Sequence, residues 1–373
     1  MGEYDRITYL SWLASAQLPS VLFKNLFSYD DDPVSLFERF FVHPGNEEFT
    51  SLLPQKARAL LTENGKSQKM DWWNEKNQQH NVKAITVFDR EYPSGLMNIT
   101  DPPNILFYQG DLSALKHRCI SMIGSRRASY AGVTATQKIA RELSLHGICV
   151  ISGLAYGIDK ASHEGCLKGS TPTVAIVGNG LDIDYPTENT ELKQKIITAG
   201  GAVLSEYPIG EQPLGWHFPV RNRIISALGN ALIVMEAAIK SGSMTTVQHA
   251  LDQGKDVFVY PGDPTSRYYA GNHQLIREGA IYFTEAADIL EDMGWLDNTG
   301  DVMQNSDCPL KTLHLSDVQK KICERLQQGE LSFDQICNGI AVPPGELSGI
   351  LTILQINGII EAIPGKRYRI RND

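Results

Sequence analysis

Apolar positions along the chain follow two periods, and the change from one to the other falls near Val82. Up to residue 80 they recur at helical spacing, as in Tyr9-Leu-Ser-Trp-Leu13, Leu22/Leu26 and Leu60/Leu61, with breaks at Pro19, Pro33, Pro44-Gly45 and Pro54. That pattern predicts four or five short helices. A polar helix over 68–81, carrying Trp72-Trp73, is expected to dock onto the next part of the chain. From Val82 the runs shorten. Ala84–Phe88 and Ile105–Tyr108 read as strands, and a strict alternation then begins. Strands are predicted at Cys119–Ile123, Cys149–Ile151, Val174–Val177, Ala202–Leu204, Ala231–Met235, Val257–Tyr260 and Ile281–Phe283. Helices are predicted between them at Tyr130–His146, Asp159–Leu167, Asn189–Thr198 and His273–Glu278, with two more opening near Pro219 and Met244. Such alternation implies a doubly wound, mostly parallel α/β sheet, whose ligands bind beyond the carboxyl ends of the strands.

The tail reads differently. Residues 292–314 are polar and rich in Gly, Asn and Pro, as in a linker. Beyond it, Ser316 caps a helix over 317–328, Ser332 caps 333–337, and Pro343-Pro344 introduce 346–356. A hairpin of 358–363 and 367–371 completes a winged-helix-like pattern. Its third helix lacks basic residues, which argues against major-groove reading, and the wing charges Lys366, Arg367, Arg369 and Arg371 read as a solvated or protein-docking surface.

At 373 residues, 42% of them hydrophobic, the chain has material for two or three cores. It contains no apolar run of eighteen residues and opens Met-Gly-Glu-Tyr-Asp, so a soluble, cytoplasmic protein is expected. None of the six cysteines forms a Cys-x-x-Cys pair, which predicts reduced core thiols. The net charge of −9 is uneven: residues 111–290 carry only −1. A local basic surface therefore remains compatible with the composition.

Candidate chemistry gathers at the predicted strand ends. Gly124-Ser125-Arg126-Arg127, Ser152-Gly153, Gly178-Asn-Gly180 and Pro261-Gly262 supply small residues and exposed amides, and Arg126 adds a guanidinium able to grip phosphate in bidentate fashion. In Phe218-Pro-Val-Arg221-Asn222-Arg223 two arginines open a helix whose dipole is already positive, an arrangement that invites an anion. Ser241-Gly242-Ser243 allow close approach of a ligand before the next helix. The stretch after the first alternating strand lacks Gly-x-Gly-x-x-Gly, and neither a P-loop nor Gly-x-Ser-x-Gly occurs, which argues against dinucleotide, NTPase and serine-hydrolase chemistry. His163, His217, His249 and His273 show no metal-ligand spacing.

These residues resemble the bacterial DNA-processing protein A (DprA/Smf) family. The likeness is carried by Gly124-Ser-Arg126, Ser152-Gly-Leu-Ala-Tyr-Gly-Ile-Asp159 with His163, and Gly178-Asn-Gly-Leu-Asp182 with Tyr185-Pro186 and Asn189. It continues through Leu204-Ser-Glu-Tyr-Pro208, Phe218-Pro-x-Arg-Asn-Arg-Ile-Ile-Ser226, Glu236-Ala with Ser241-Gly-Ser243, and Pro261-Gly262 with Asn272. Departures are Ala227 where glycine is frequent, Met244-Thr-Thr-Val, and the extra length of Tyr268-Tyr269-Ala270. The resemblance implies a helical (SAM-like) domain over 1–80, an extended Rossmann-like domain over 81–292, a linker over 293–314 and a winged-helix-like domain over 315–373. It also implies a homodimer without catalytic residues, cofactor, metal or membrane partner, which binds incoming single-stranded DNA in natural transformation and loads the RecA recombinase on it. The expected DNA contacts are Ser125, Arg126, Ser152, Gly153, Phe218, Arg221, Asn222, Arg223, Ser241, Gly242 and Ser243. Two other readings stay open: a nucleotide phosphoribohydrolase using Glu236, although Pro-Gly-Gly-x-Gly-Thr-x-x-Glu is absent, and a duplex-binding regulator acting through the winged helix.

Overall fold

The apolar runs after Val82 become strands of one sheet because each places side chains on both faces among other apolar groups. The computed structural model describes residues 4–41, 52–295, 317–326, 331–340, 344–356, 359–363 and 367–370. By contacts the chain divides into two units, 1–296 and 297–373.

In the first unit, helices α1 (Arg6–Ala14), α2 (Ser20–Tyr29), α3 (Pro33–Phe41), α4 (Gln55–Asn64) and α5 (Ser67–Gln79) precede the sheet. Trp12 is fully buried, meets Phe37 edge-on at 4.9 Å and donates its indole N–H to the Leu61 carbonyl at 2.8 Å. The expected docking of the tryptophan-bearing helix is visible: Trp73 donates to the Ile209 carbonyl at 3.2 Å, across to the sheet region. The helices share one apolar core with the sheet.

The sheet region runs β1 (Lys83–Thr86), α6 (Ser94–Met97), β2 (Ile105–Gly110), β3 (Arg118–Ile123), α7 (Tyr130–Leu145), β4 (Ile148–Ser152), α8 (Ile158–Cys166), β5 (Thr173–Val177), α9 (Thr190–Thr198) and β6 (Ala202–Ser205). It continues through α10 (His217–Leu228), β7 (Leu232–Val234), α11 (Ser243–Asp252), β8 (Val257–Val259), α12 (Ala270–Arg277), β9 (Ile281–Tyr282) and α13 (Ala286–Asp292). The nine strands lie in the order β1-β2-β6-β5-β4-β3-β7-β8-β9. Those from β6 to β9 in that order are parallel, while β1 and β2 form an antiparallel edge against β6.

Alternation along each parallel strand separates two apolar layers. Cys119, Ile151, Val174, Leu232 and Val259 face the layer that contains Ile224 and Ile225 of α10 and Val247 of α11. Ile120, Met122, Val150, Ile233 and Phe258 face Ile139 and Leu143 of α7 and Ile289 of α13. Helices thus cover both faces, the doubly wound class read from the sequence. Cys119, Cys149 and Cys166 are free thiols in these layers. Among the described residues no helix is long and apolar enough to cross a membrane.

The second unit contains α14 (Asp317–Leu326), β10 (Leu331–Ser332), α15 (Phe333–Gly339), α16 (Pro344–Ile356), β11 (Ile360–Ile363) and β12 (Arg367–Ile370), with strand order β10-β12-β11. Ser332 and Gln335 cap α15 reciprocally, at 3.3 and 2.8 Å. Ile322, Ile336, Leu347, Leu351 and Leu354 form its core. The Ser316 cap, most of the linker, Lys366 and Arg371 lie outside the described residues.

Candidate nucleic-acid interface

From β3 the chain steps outward through β4, β5 and β6 on one side. It then returns to β7 on the other side of β3 and steps out to β9. The connections diverge between β3 and β7, and in open α/β sheets the crevice beyond that divergence is where ligands bind. The Ser125 amide ties the two strand ends together by donating to the Glu236 carbonyl at 2.7 Å. Beyond them opens a cleft of about 760 Å³ whose charged lining consists of Arg126, Arg127, Arg221 and Lys240 against Asp159 alone.

Two of the three expected arginines converge. The Arg126 guanidinium carbon lies 5.1 Å from the centre of the Phe218 ring and that of Arg221 lies 6.0 Å from it. Arg126 is exposed. It has no ion pair within 4.0 Å among the described residues. Arg221 is buried and donates through Nη1 to the carbonyls of Gly153 and Ile176, which lie at the ends of β4 and β5. Its Nε has no partner among the described residues. Burial pulls the Arg221 pKa down to about 10, Asp159 partly offsets that, and Arg126 adds to the lowering. The group therefore stays charged at neutral pH. Burial raises Asp159, with Arg221 opposing. Two cations beside one aromatic ring, with no ion-paired acid among the described residues, are groups of the kind that can hold a phosphate and stack a base.

Sequence reasoning missed Tyr185, which stacks on Phe218 at 5.4 Å with 29° between the rings. Its signal was the Tyr185-Pro186 pair following a Gly-rich strand end, which belongs to the family likeness but carries no contact role in it.

Arg223 requires a correction. Its guanidinium makes a bidentate pair with Glu206, at 2.7 and 2.9 Å, and donates to the Asp101 carbonyl at 2.9 Å, so it braces α10 instead of facing the cleft. Burial alone would lower its pKa, but the Glu206 charge and hydrogen bonds raise it. Ser152 is likewise fully buried, and its hydroxyl donates to the Met122 carbonyl at 2.7 Å, joining β4 to β3. The Ser243 hydroxyl donates to the Gly124 carbonyl at 2.9 Å and receives the Ser241 hydroxyl at 3.1 Å. Ser243 therefore shapes the wall, while Ser241 and the exposed Gly242 line it. Ser125 accepts the Arg127 amide at 3.1 Å, which leaves its hydroxyl proton to donate. Asn222 stands half-exposed on the same wall. α10 begins at His217, so Pro219 is its third residue rather than its first; prolines fit there because the first four helical N–H groups lack partners.

Two buried side chains fill the space beside Gly153. A Cβ there would come within 2.6 Å of Asp159 Oδ2 and 2.9 Å of both Arg221 Nη atoms. Gly153→Ala is therefore expected to displace the buried guanidinium and weaken anion binding by about tenfold, with a smaller change in the urea midpoint. Binding as tight as wild type would show that Arg221 placement is irrelevant.

Beneath the cleft, fully buried His163 faces the Thr173 hydroxyl at 2.7 Å through Nδ1. Thr173 donates its own proton to the Val150 carbonyl at 2.6 Å, so the histidine carries its proton on Nδ1. Burial, helped by Arg221, lowers the His163 pKa to about 3. Between about 6.5 and about 3 the unfolded chain binds the proton that the fold excludes, so this stability is complete above the upper value and lost as pH falls. His163→Gln is expected to remove about 2–3 kcal/mol of the stability difference between pH 7 and pH 4.5 in urea titrations. An unchanged difference would mean that His163 takes up its proton alike in both states.

Fold and cleft together define a doubly wound α/β protein with arginines gathered at the crown of its sheet. The family model for DNA recombination-mediator protein A matches residues 83–294, and that for the DprA winged helix domain matches 309–366. The chain belongs to the DNA recombination-mediator protein A (DprA/Smf) family. Protein Smf of Escherichia coli is 33% identical over 309 residues, covering 80% of this chain and 79% of its own. DNA processing protein DprA of Streptococcus pneumoniae is 42% identical over 207 residues, covering 56% and 73%. The X-ray structure of the S. pneumoniae protein gives a TM-score of 0.65 at 34% identity, covering 76% of this chain and 97% of that one. DNA processing protein A from Helicobacter pylori, described for its unique single-stranded DNA binding mode, gives 0.52 at 29% identity, covering 57% and 97%.

Proposed function

We propose that this chain binds single-stranded DNA in the strand-end cleft, as a cytoplasmic, non-catalytic homodimer that protects incoming strands in natural transformation and loads the RecA recombinase on them. The observation that carries the reading is the convergence of Arg126 and Arg221 on Phe218 without an ion-paired acid among the described residues. Arg126 and Arg221 hold backbone phosphates, Phe218 and Tyr185 offer rings to a base, and Ser125, Asn222, Ser241 and the Gly153 and Gly242 backbone approach the sugar-phosphate. Family membership and the single-stranded DNA binding of the H. pylori relative support the ligand class.

The phosphoribohydrolase reading is the less well supported, because its acid is engaged by the backbone and hydroxyl of Ser129. Both Glu236 oxygens accept the Ser129 amide, at 3.0 and 3.1 Å, and Oε2 also accepts the Ser129 hydroxyl at 2.5 Å. The carboxylate thereby fixes the start of α7. The regulator reading lacks a basic recognition helix, since α16 carries neither lysine nor arginine. Fluorescence polarisation with matched single- and double-stranded oligonucleotides at two salt concentrations tests the proposal. Tighter, salt-dependent binding of the single strand is expected; preference for duplex would overturn it.

A further inference from the structure

The loop that departs from the family, Ser266 to Asn272, is clamped to the crown. Asn272 accepts the Ala237 amide at 2.7 Å and donates to the Tyr260 carbonyl at 2.8 Å, and the Gly271 amide donates to the Ala237 carbonyl at 2.9 Å. Tyr269 is buried with its phenol facing Ser129 and Glu236. The residues next to that internal contact point outward. Tyr130, following Ser129, is 88% exposed, and Tyr268, preceding Tyr269, is 39% exposed. Their backbones are held in place, by the Ser129 hydroxyl capping α7 at Gly132 and by the Ser266 hydroxyl accepting the Tyr268 amide at 3.3 Å.

Cations accompany both rings. Arg267 lies 5.5 Å from the Tyr268 ring centre, and exposed Arg127 lies three residues before Tyr130 on the turn that supplies Arg126. Neither arginine has an ion pair within 4.0 Å among the described residues. Asp263, three residues before the loop, accepts the Thr265 amide and hydroxyl at 2.8 and 2.7 Å. Exposed aromatic rings accompanied by guanidinium groups are the parts from which a stacking platform for unpaired bases is built, the positive charge serving the backbone. Isolated exposed tyrosines mean little; two whose chain neighbours, Ser129 and Tyr269, share one buried contact mean more.

We propose that Tyr130 and Tyr268, with Arg127 and Arg267, form a second base-stacking station that extends the single-strand track from the Arg126–Phe218 cleft across the ends of β3, β7 and β8. The inference rests on the reading of the cleft as a single-stranded DNA site. It makes the extra Tyr268-Tyr269-Ala270 length a binding element: Tyr269 anchors it and Tyr268 stacks.

The test compares oligothymidylates of about 4 and about 15 nucleotides, which fall near the two ends of the usual site-size range, by polarisation with the full chain. Tyr268→Ala and Tyr130→Ala are each expected to weaken the longer oligonucleotide about tenfold with an unchanged salt slope, and to leave the shorter one unaffected. Tyr268→Phe keeps wild-type binding, and a 2-aminopurine placed toward one end of the longer strand is quenched by wild type and Tyr268→Phe but not by Tyr268→Ala. Equal affinities for wild type and both alanine variants, or equal weakening of both lengths, would overturn the extension while leaving the cleft intact. If Arg126→Ala failed to weaken even the shorter oligonucleotide, the cleft reading would fall first and the extension with it.

Discussion

Replacing Arg126 by alanine is expected to weaken single-stranded oligonucleotides of any sequence by about tenfold to a hundredfold, the loss associated with one charged hydrogen-bonded contact. The slope of log affinity against log salt should fall by about 0.7, as for loss of one phosphate contact on a single strand. Stability should hardly move, because the side chain is exposed and free of internal ion pairs among the described residues. Polarisation across a salt series, with a urea titration of the same variant, separates these effects. An unchanged slope would remove Arg126 from the phosphate path.

Arg223→Ala should behave in the opposite way. The arginine is buried, and removing it leaves the Glu206 carboxylate facing Asp101 without its bidentate partner. Glu206 is partly exposed, so breaking the pair on one side should cost somewhat less than the ~3–5 kcal/mol typical of a fully buried pair. The urea midpoint should drop accordingly, while protein still folded keeps the wild-type salt slope. Arg223→Met combined with Glu206→Leu should recover much of the loss, because a buried pair replaced by well-packed apolar groups is often neutral. If Arg223→Ala flattened the salt slope and left stability intact, the assignment of Arg223 as a brace would be wrong.

The contrast between these arginines shows how far the sequence can be read. Alternating apolar runs identify the parallel strands because a strand buried on both faces leaves a short, dense signature, and the glycine-bearing strand ends mark the crown. Arg221 and Arg223 look alike in sequence, since both sit in the first turns of one helix. Their fates diverge because the helix rotates by about 100° per residue, sending one side chain to the Gly153 carbonyl and the other to Glu206. Which face meets an acid depends on strand order, and no local pattern states that β2 pairs antiparallel with β6. Ser152 misled for a related reason: its side chain is fully buried and joins β4 to β3 through the Met122 carbonyl, while the glycine beside it lines a small pocket shared with Arg126, Phe218 and Arg221. Tyr185 went unassigned because a stacked pair 33 residues apart is visible only after folding.

The most direct measurement is photocrosslinking of a single-stranded oligonucleotide carrying 5-iododeoxyuridine, followed by peptide mapping. Adducts at Phe218 or Tyr185, lost in Arg126→Ala, are the expected result. Adducts confined to residues 317–370, with none on the strand-end loops of the sheet, would contradict the account.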